Sequence, residues 1–458
     1  MVKKTKSLGA RIAAGCALGV SIVVALVAAR GVAAAEPTGD PTDDIVITNA
    51  DIMTVSHGTI ENGSLWIRNG KIAGVGATVA APRDARIIDA GGRFVTPGII
   101  DAHSHIGMDA YSPAGVLFDA NEYVGKPGGM AGPNQADLRI RDSIRSDASS
   151  FYILLSSGLT AGLELPGSAN LFGGQAAPVK LKVGRPRADF FIEGAPVSMK
   201  IACSGTPFRA WKGRAGFEKQ EDIAVARRRI YDEAKAYMAR QEAYEKAAAA
   251  GRSDGSPPPV DLKMEAIAGV LRGDTLLQMH CHEASSMLEE LAVARDYGIT
   301  IRTLHHASEA YQVARELVAA GTGVLGIADV FGGGAGPNHA IPWNIPILKQ
   351  AGARVALHGE AYSLARRLTQ EAGKMLRYGR GAFTRDEALA LVTLNAAWMM
   401  GLDHRMGSID VGKDADVVIW EADPLSSYGH AEKVFIDGEL FFDATRPGLG
   451  LTQVEQGS

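Results

Sequence analysis

Val95-Thr96-Pro97-Gly98-Ile99-Ile100-Asp101-Ala102-His103-Ser104-His105 decides how this chain is read. The Val- and Ile-rich run reads as a buried strand, and it ends in two histidines spaced i, i+2. On a strand that spacing sends both imidazoles to the same side. Two neutral imidazoles side by side at a strand end are the beginning of a metal site. The pair alone decides little, because His-x-His is common by chance. What decides is whether the rest of the chain supplies a scaffold and further ligands.

The chain has 458 residues, too many for one small core. Strand-like apolar runs cover 94–102, 158–164, 196–202, 275–281, 299–305, 322–328 and 353–358. Amphipathic helical patterns cover 138–156, 218–250, 285–297, 308–320, 364–378 and 384–394. This is the alternation of βα units. Its count and length predict an α/β fold with a (β/α)8 TIM-type barrel over 94–400 rather than an open sheet. Barrel chemistry sits at the C-terminal ends of the strands. Besides His103 and His105, those ends carry Met279-His280-Cys281-His282, Leu304-His305-His306 and Leu357-His358-Gly359-Glu360. Seven of the 11 histidines fall in these four places, which scatter would rarely produce.

The segments 36–93 and 401–446 read instead as short strands with turns, among them the hairpin signal Asn69-Gly70. They bracket the α/β region, so the two ends are expected to pair into one small β-sandwich. Residues 1–35 have a basic start, an apolar stretch from Ile12 to Ala29 and Ala33-Ala34-Ala35. They read as a secretory signal peptide, with an uncleaved anchor as the alternative. The expectation is an exported chain, periplasmic or secreted, with 447–458 as a tail. Removing 1–35 takes five of the 47 basic side chains and none of the 51 acidic ones, leaving 42 against 51, or about −9. That balance disfavours nucleic acid and anionic membrane surfaces as partners. Cys203 and Cys281 sit in apolar strand-like contexts and read as two buried thiols, although an exported protein can join such a pair. The charged 218–250 helix reads as a solvated insertion running into the loop 251–259. The Gly-rich loop around Gly173-Gly174-Gln175 lacks the ending of a phosphate-binding P-loop and reads as an active-site loop, while 331–336 reads as a flexible connection after a strand, with a lid as the alternative.

Beyond the residue chemistry, the Pro97-Gly98-Ile99-Ile100-Asp101-Ala102-His103-Ser104-His105 context resembles the first barrel strand of the amidohydrolase superfamily, in its exported imidazolonepropionase- and prolidase-like branch. The resemblance covers nearly everything from Asp44 to Asp443. It includes Asn121-Glu122, Pro166-Gly167-Ser168-Ala169-Asn170 and Val392-Thr393-Leu394-Asn395. It implies metal ligands at His103, His105, His280 and His306, with His282 and His305 beside them. Lys200 becomes a candidate bridging ligand, as the carbamylated lysine of binuclear members, or else an unmodified pocket lysine. The stretch "RVALHGEAYSLARRLTQEAGKMLRYG" is similar to a family segment "RVALNSDDAEMARRLNxEAAKAVKYG", which puts the catalytic acid at Glu360. Here the chain departs from the pattern. Glu360 stands where the family carries Asp, Ala361 replaces a second Asp, and Gly205 and Phe208 replace the Glu and Lys of "KMALGENPKR". The implied function is hydrolysis of a C–N bond, in a cyclic or non-standard amide or a dipeptide, by water activated on one or two divalent ions, most simply Zn2+. The alternative is a catalytically impaired binding protein of the cell envelope on the same scaffold. A small-molecule amide is the expected partner, and oligomeric state stays open.

Overall fold

The computed structural model describes residues 44–108, 132–203, 205–214, 216–252, 255–329, 339–360 and 362–446. The expected signal peptide, Asn121-Glu122, the loop 331–336, Ala361 and the tail 447–458 lie outside them. The strands are β1 (Asp44–Met53), β2 (Thr59–Arg68), β3 (Lys71–Gly76), β4 (Arg86–Pro97), β5 (Ile99–Ser104), β6 (Leu159–Glu164), β7 (Phe172–Gln175), β8 (Ala177–Lys180), β9 (Val197–Ala202), β10 (Thr275–Cys281), β11 (Ile301–His306), β12 (Gly323–Gly326), β13 (Val355–Leu357), β14 (Val417–Trp420), β15 (Ala431–Ile436) and β16 (Glu439–Asp443). The helices are α1 (Ser149–Leu155), α2 (Gly205–Trp211), α3 (Asp222–Ala249), α4 (Leu262–Arg272), α5 (Ala284–Tyr297), α6 (Ala314–Ala319), α7 (Asn344–Gln350), α8 (Tyr362–Ala365), α9 (Leu368–Tyr378), α10 (Arg385–Ala390) and α11 (Leu394–Met399). Among the described residues no helix is long and apolar enough to cross a membrane.

The first four strands and the last three enter one seven-stranded sheet, in the order β16-β15-β14-β4-β1-β2-β3. Its core holds Ile47, Ile52, Leu65, Val95, Val417, Ile419 and Phe435. β4 is the seam, pairing parallel with β1 and antiparallel with β14, where Thr96 faces Val418. The opening stretch of sequence is therefore two strands, not one. Pro97 ends β4, and Gly98 carries the chain into β5. A Cβ at Gly98 would meet Thr160 Oγ1 at 2.0 Å, so only glycine admits this close approach.

The α/β region holds two further sheets, β13-β12-β11-β10-β9-β7 and β5-β6-β8. β9 to β13 pair parallel throughout. The segment read from sequence as a Gly-rich loop is strand instead: β7 runs antiparallel to β9, and β8 antiparallel to β6. Gly173 and Gly174 hide it, because they carry no side-chain alternation to read, yet their backbone still pairs. On the other side an isolated parallel bridge joins Ser104, at the end of β5, to Glu360 just beyond β13.

The helices shorten the expected spans. Residues 138–156 hold a 3-10 turn at 140–142 and α1, and 308–320 a 3-10 turn and α6. α3 corrects the reading of a solvated insertion. It buries Ile223, Ala224, Arg227, Tyr231, Ala234 and Tyr237. The Arg227 guanidinium pairs with Glu290 of α5 at 2.9 Å and donates to the carbonyls of Leu171 and Ala202. Lys180 on β8 ties the α/β region to the seven-stranded sheet. Its ammonium meets Asp414 at 2.9 Å, Asp416 at 3.0 Å and Asp437, in a buried cluster.

Candidate metal centre

The seven histidines singled out above come from four strand ends and meet in one cluster. His103 packs against His105, His305, His306 and His358, with ring centroids 5.0, 4.8, 4.7 and 4.7 Å away. His306 in turn touches His280 at 4.5 Å and His282 at 5.0 Å. The strands place them: His280 and Cys281 on β10 stand in register with His305 and His306 on β11. β11 then bends, with His306 at φ 63° and Ala307 at φ 43°. Non-glycine residues in this left-handed region are strained, and such strain gathers at functional sites. The bend lets the adjacent His305 and His306 both reach His103.

Hydrogen bonds fix the tautomers from both ends of a chain. Gln278 donates its amide nitrogen to Met399 O at 2.9 Å, which turns Oε1 towards His305 Nε2, 2.8 Å away. His305 therefore carries its proton on Nε2 and accepts at Nδ1. His103 Nδ1, 2.8 Å from that nitrogen, must donate. At the other end His105 Nδ1 donates to Leu165 O at 2.7 Å. With both rings neutral, both Nε2 atoms lack a proton, and they face each other at 3.1 Å. Two lone pairs at that distance repel unless a cation stands before them. Two nitrogens on one tetrahedral ion, each at about 2.1 Å, lie about 3.4 Å apart. Anchoring the far ring nitrogen of a ligand histidine in this way is how metal sites orient their first ligands.

The electrostatics suit the same purpose. Burial, then the charge of Lys200, holds His103 and His305 well below the ordinary histidine pKa, and His358 at about 3. Burial, then neighbouring histidines, does the same for His280 and His306. Burial, then Arg209, lowers His282 to about 4. These six imidazoles are thus neutral at physiological pH, the form that binds metal. Among the described residues, buried ring nitrogens of His280 (Nδ1), His306 (Nε2) and His358 (both) have no hydrogen-bond partner. Each unmet buried nitrogen costs about 1–3 kcal/mol, and in a native fold it calls for an occupant. His103, His105 and Glu360 offer ligand atoms all within 4.8 Å of one another, as do His103, His306 and His358. These donors fit a divalent ion of the zinc type.

Lys200 on β9 is fully buried, and its ammonium donates to Pro166 O at 3.2 Å. Glu360 differs from the rest of the cluster. Its side chain is 41% exposed and stands 4.0 Å from His306 Nε2, so it lines the open edge. Its φ is 59°, again left-handed, and its N–H donates to His103 O at 3.1 Å. Gly359 beside it packs against α8, where a Cβ would meet Ala365 Cα at 2.3 Å. Asp101 completes the stitch by accepting from Gly359 N at 3.1 Å and from His103 N at 3.2 Å. Burial pushes the Asp101 carboxyl up to about 7 against those two donors. Burial also drives Glu164 on β6 well above the carboxylate range.

His280 turns Nε2 towards Thr206 Oγ1, at 3.2 Å, which also accepts from Arg209 at 2.9 Å. His282 pairs with Ser308 at 2.9 Å, beside the site as expected. The two cysteines are a correction. Cys203 and Cys281 form a disulfide, with Cα atoms 5.2 Å apart, across the ends of β9 and β10. Parallel pairing of those strands, with Ala202 opposite His280, brings together thiols 78 residues apart in sequence. Sequence reasoning left Gln278, Thr206 and Asp101 without a role and gave His358 none beyond its place at a strand end. Gln278 had a signal, as a polar residue inside the apolar run 275–281.

Residues 353–441 match the model of the amidohydrolase family. The amidohydrolase tasK of Hapsidospora irregularis is 28% identical over 408 residues, covering 83% of this chain but 40% of its own length. The chain thus spans less than half of that relative. The imidazolonepropionase of Thermoplasma volcanium is 24% identical, with 84% of this chain and 92% of that one covered. Among solved structures, an amidohydrolase from Thermotoga maritima superposes with a TM-score of 0.77 at 27% identity, covering 87% of this chain and all of that one. The histidine cluster on parallel strand ends and these likenesses agree: in sequence and fold the chain is similar to the amidohydrolase superfamily.

Proposed function

We propose that this chain is a metal-dependent hydrolase of a C–N bond in a small amide. In this reading the α/β region closes as a (β/α)8-type barrel, with β7 and β8 together filling the third strand position. The facing lone pairs of His103 and His105 at 3.1 Å carry the proposal, because neutral tautomers fixed from both sides leave them a cation to share. His280 and His306 are the further ligands, through nitrogens that meet nothing else among the described residues. A bound divalent ion, Zn2+ first, polarises the substrate carbonyl and eases deprotonation of water. Glu360 does the proton work. As the water oxygen bonds to the carbonyl carbon, Glu360 takes a proton from it. As the C–N bond breaks, it delivers that proton to the leaving nitrogen.

Two observations favour a working site over an impaired one. Glu360 is the exposed member of the cluster, open to substrate and water. Its left-handed backbone is pinned by the bond to His103 O, which fixes the point from which the longer Glu side chain reaches. Lys200 stands among the ligands, where a carbamate on its nitrogen would supply bridging oxygens for a second ion. The Cys203–Cys281 disulfide supports the exported location read from residues 1–35, since such bonds persist in oxidising compartments.

The test is hydrolysis of a panel of cyclic amides and dipeptides by protein as purified, chelated and reconstituted with Zn2+. Chelation should abolish turnover and Zn2+ restore it. Glu360→Gln should lose about 10²–10⁴ in kcat, and Glu360→Asp should keep part of it. Turnover that survives complete metal removal, or full activity in Glu360→Gln, defeats the proposal.

A further inference from the structure

We propose that His358 is an additional ligand of this centre, holding a divalent ion together with His103 and His306. The inference rests on the hydrolase reading for the presence of an ion, and goes beyond it in the ligand set. The resembled family segment carries Asn at this position, so the resemblance assigns His358 nothing.

His358 is 1% exposed, and neither ring nitrogen has a hydrogen-bond partner among the described residues. Burying both an N–H and a lone pair unmet is about the most costly way to place an imidazole, at roughly 1–3 kcal/mol for each. Simple packing does not explain it, since leucine or methionine would fill the same space without that cost. The ring stacks on His103 at 4.7 Å with the planes 22° apart, and meets His306 edge-on at 4.8 Å. His103, His306 and His358 each offer a nitrogen within 4.8 Å of the others. A point central to three such atoms is no more than about 2.8 Å from each. Rotations of less than 1 Å then reach the 2.0–2.1 Å of a zinc–imidazole bond.

The position is also built rather than accidental. His358 N–H donates to Gly326 O at 3.0 Å, and the next two residues are stitched to β5 by the Gly359–Asp101 and Glu360–His103 bonds. The tautomer chain leaves His103 one lone pair, on Nε2.

The experiment uses the full chain, stripped of metal and titrated with Zn2+ against a chromophoric chelator and with Co2+ by visible absorption. His358→Asn should weaken the tightest equivalent by at least about tenfold and shift the Co2+ bands. His358→Gln provides a second variant of similar volume. Unchanged affinity and spectrum in a folded His358 variant overturn the proposal, yet leave the hydrolase reading standing if the wild type binds metal. A wild type that binds no divalent ion overturns both. Should the variants misfold, a Zn2+-soaked crystal of the wild type decides. Anomalous density within bonding distance of a His358 nitrogen supports the proposal, and an ion beyond 3 Å from both nitrogens overturns it.

Discussion

Replacing Arg227 with Met tests whether α3 is an ornament or part of the site's foundation. Its guanidinium is wholly buried and bonds to Glu290 at 2.9 Å, to Leu171 O at 3.0 Å and to Ala202 O. The substitution leaves Glu290, itself 1% exposed, without its cation. Removing one partner of such a pair costs about 3–5 kcal/mol. Burial already pushes the Glu290 carboxyl up despite Arg227, so protonation caps the loss near that figure. In the double variant Arg227→Met, Glu290→Leu no charge stays buried, and that part of the loss should return. What remains is the Ala202 carbonyl, short of one donor, at about 1–3 kcal/mol. Leu171 O keeps Ala202 N–H at 3.4 Å. The assay is urea unfolding of the metal-free chain followed by far-UV circular dichroism. The expected order is wild type, then double variant, then single variant. A single variant within 1 kcal/mol of wild type, or a double variant no better than the single, refutes the reasoning.

Two further outcomes follow from the geometry. Gln278→Leu removes the acceptor that sets the His305 and His103 tautomers, and should weaken Zn2+ binding about 10–100-fold, as other losses of anchoring bonds do; unchanged affinity would show that His103 needs no such anchor. Burial raises and Lys180 lowers the carboxyls of Asp414 and Asp437, and the lowering wins in both. Stability from these groups is therefore complete above their unfolded pKa, near 3.8, and is lost as pH falls through their lower folded values. Asp414→Asn should be less stable at neutral pH and lose less on acidification to pH 3. A urea midpoint that falls as steeply as in wild type would discount the cluster.

The parallel strands were legible because each is an apolar run, four of them with histidines at the end, and β6, β9, β10, β11, β12 and β13 fall within two residues of their expected spans, whereas β5 starts later because Pro97 and Gly98 divide its run. β7 was not, because Phe172-Gly173-Gly174-Gln175 has neither length nor alternation. The buried side of α3 was hidden by its charge. Arg227 looks solvated in sequence, and only the fold shows the two carbonyls and the carboxylate that hold it. Ligand candidates could be found by type and place, since histidines at strand ends have few other uses. Which nitrogen each one turns inward could not, because the answer lies in Leu165 O and Met399 O, backbone atoms far away in sequence.

The same bonds explain how a fold tolerates so unfavourable a centre. Several unmet imidazole nitrogens and the buried Asp101, Glu164 and Lys200 all weaken the metal-free chain. The strand ends that carry them cannot relax towards water, because each is tied from behind. Asp101 fastens β5 to Gly359, the disulfide fastens β9 to β10, and Arg227 fastens the end of β9 to α3 and α5. The strain is thus stored where an ion relieves it. An ion present at a thousand times its dissociation constant stabilises the fold by about 4 kcal/mol. That is comparable to leaving two or three polar atoms unmet. Under the proposed function, loading and stability are therefore one equilibrium, and the histidines whose unmet nitrogens weaken the fold are the ones that would select the ion.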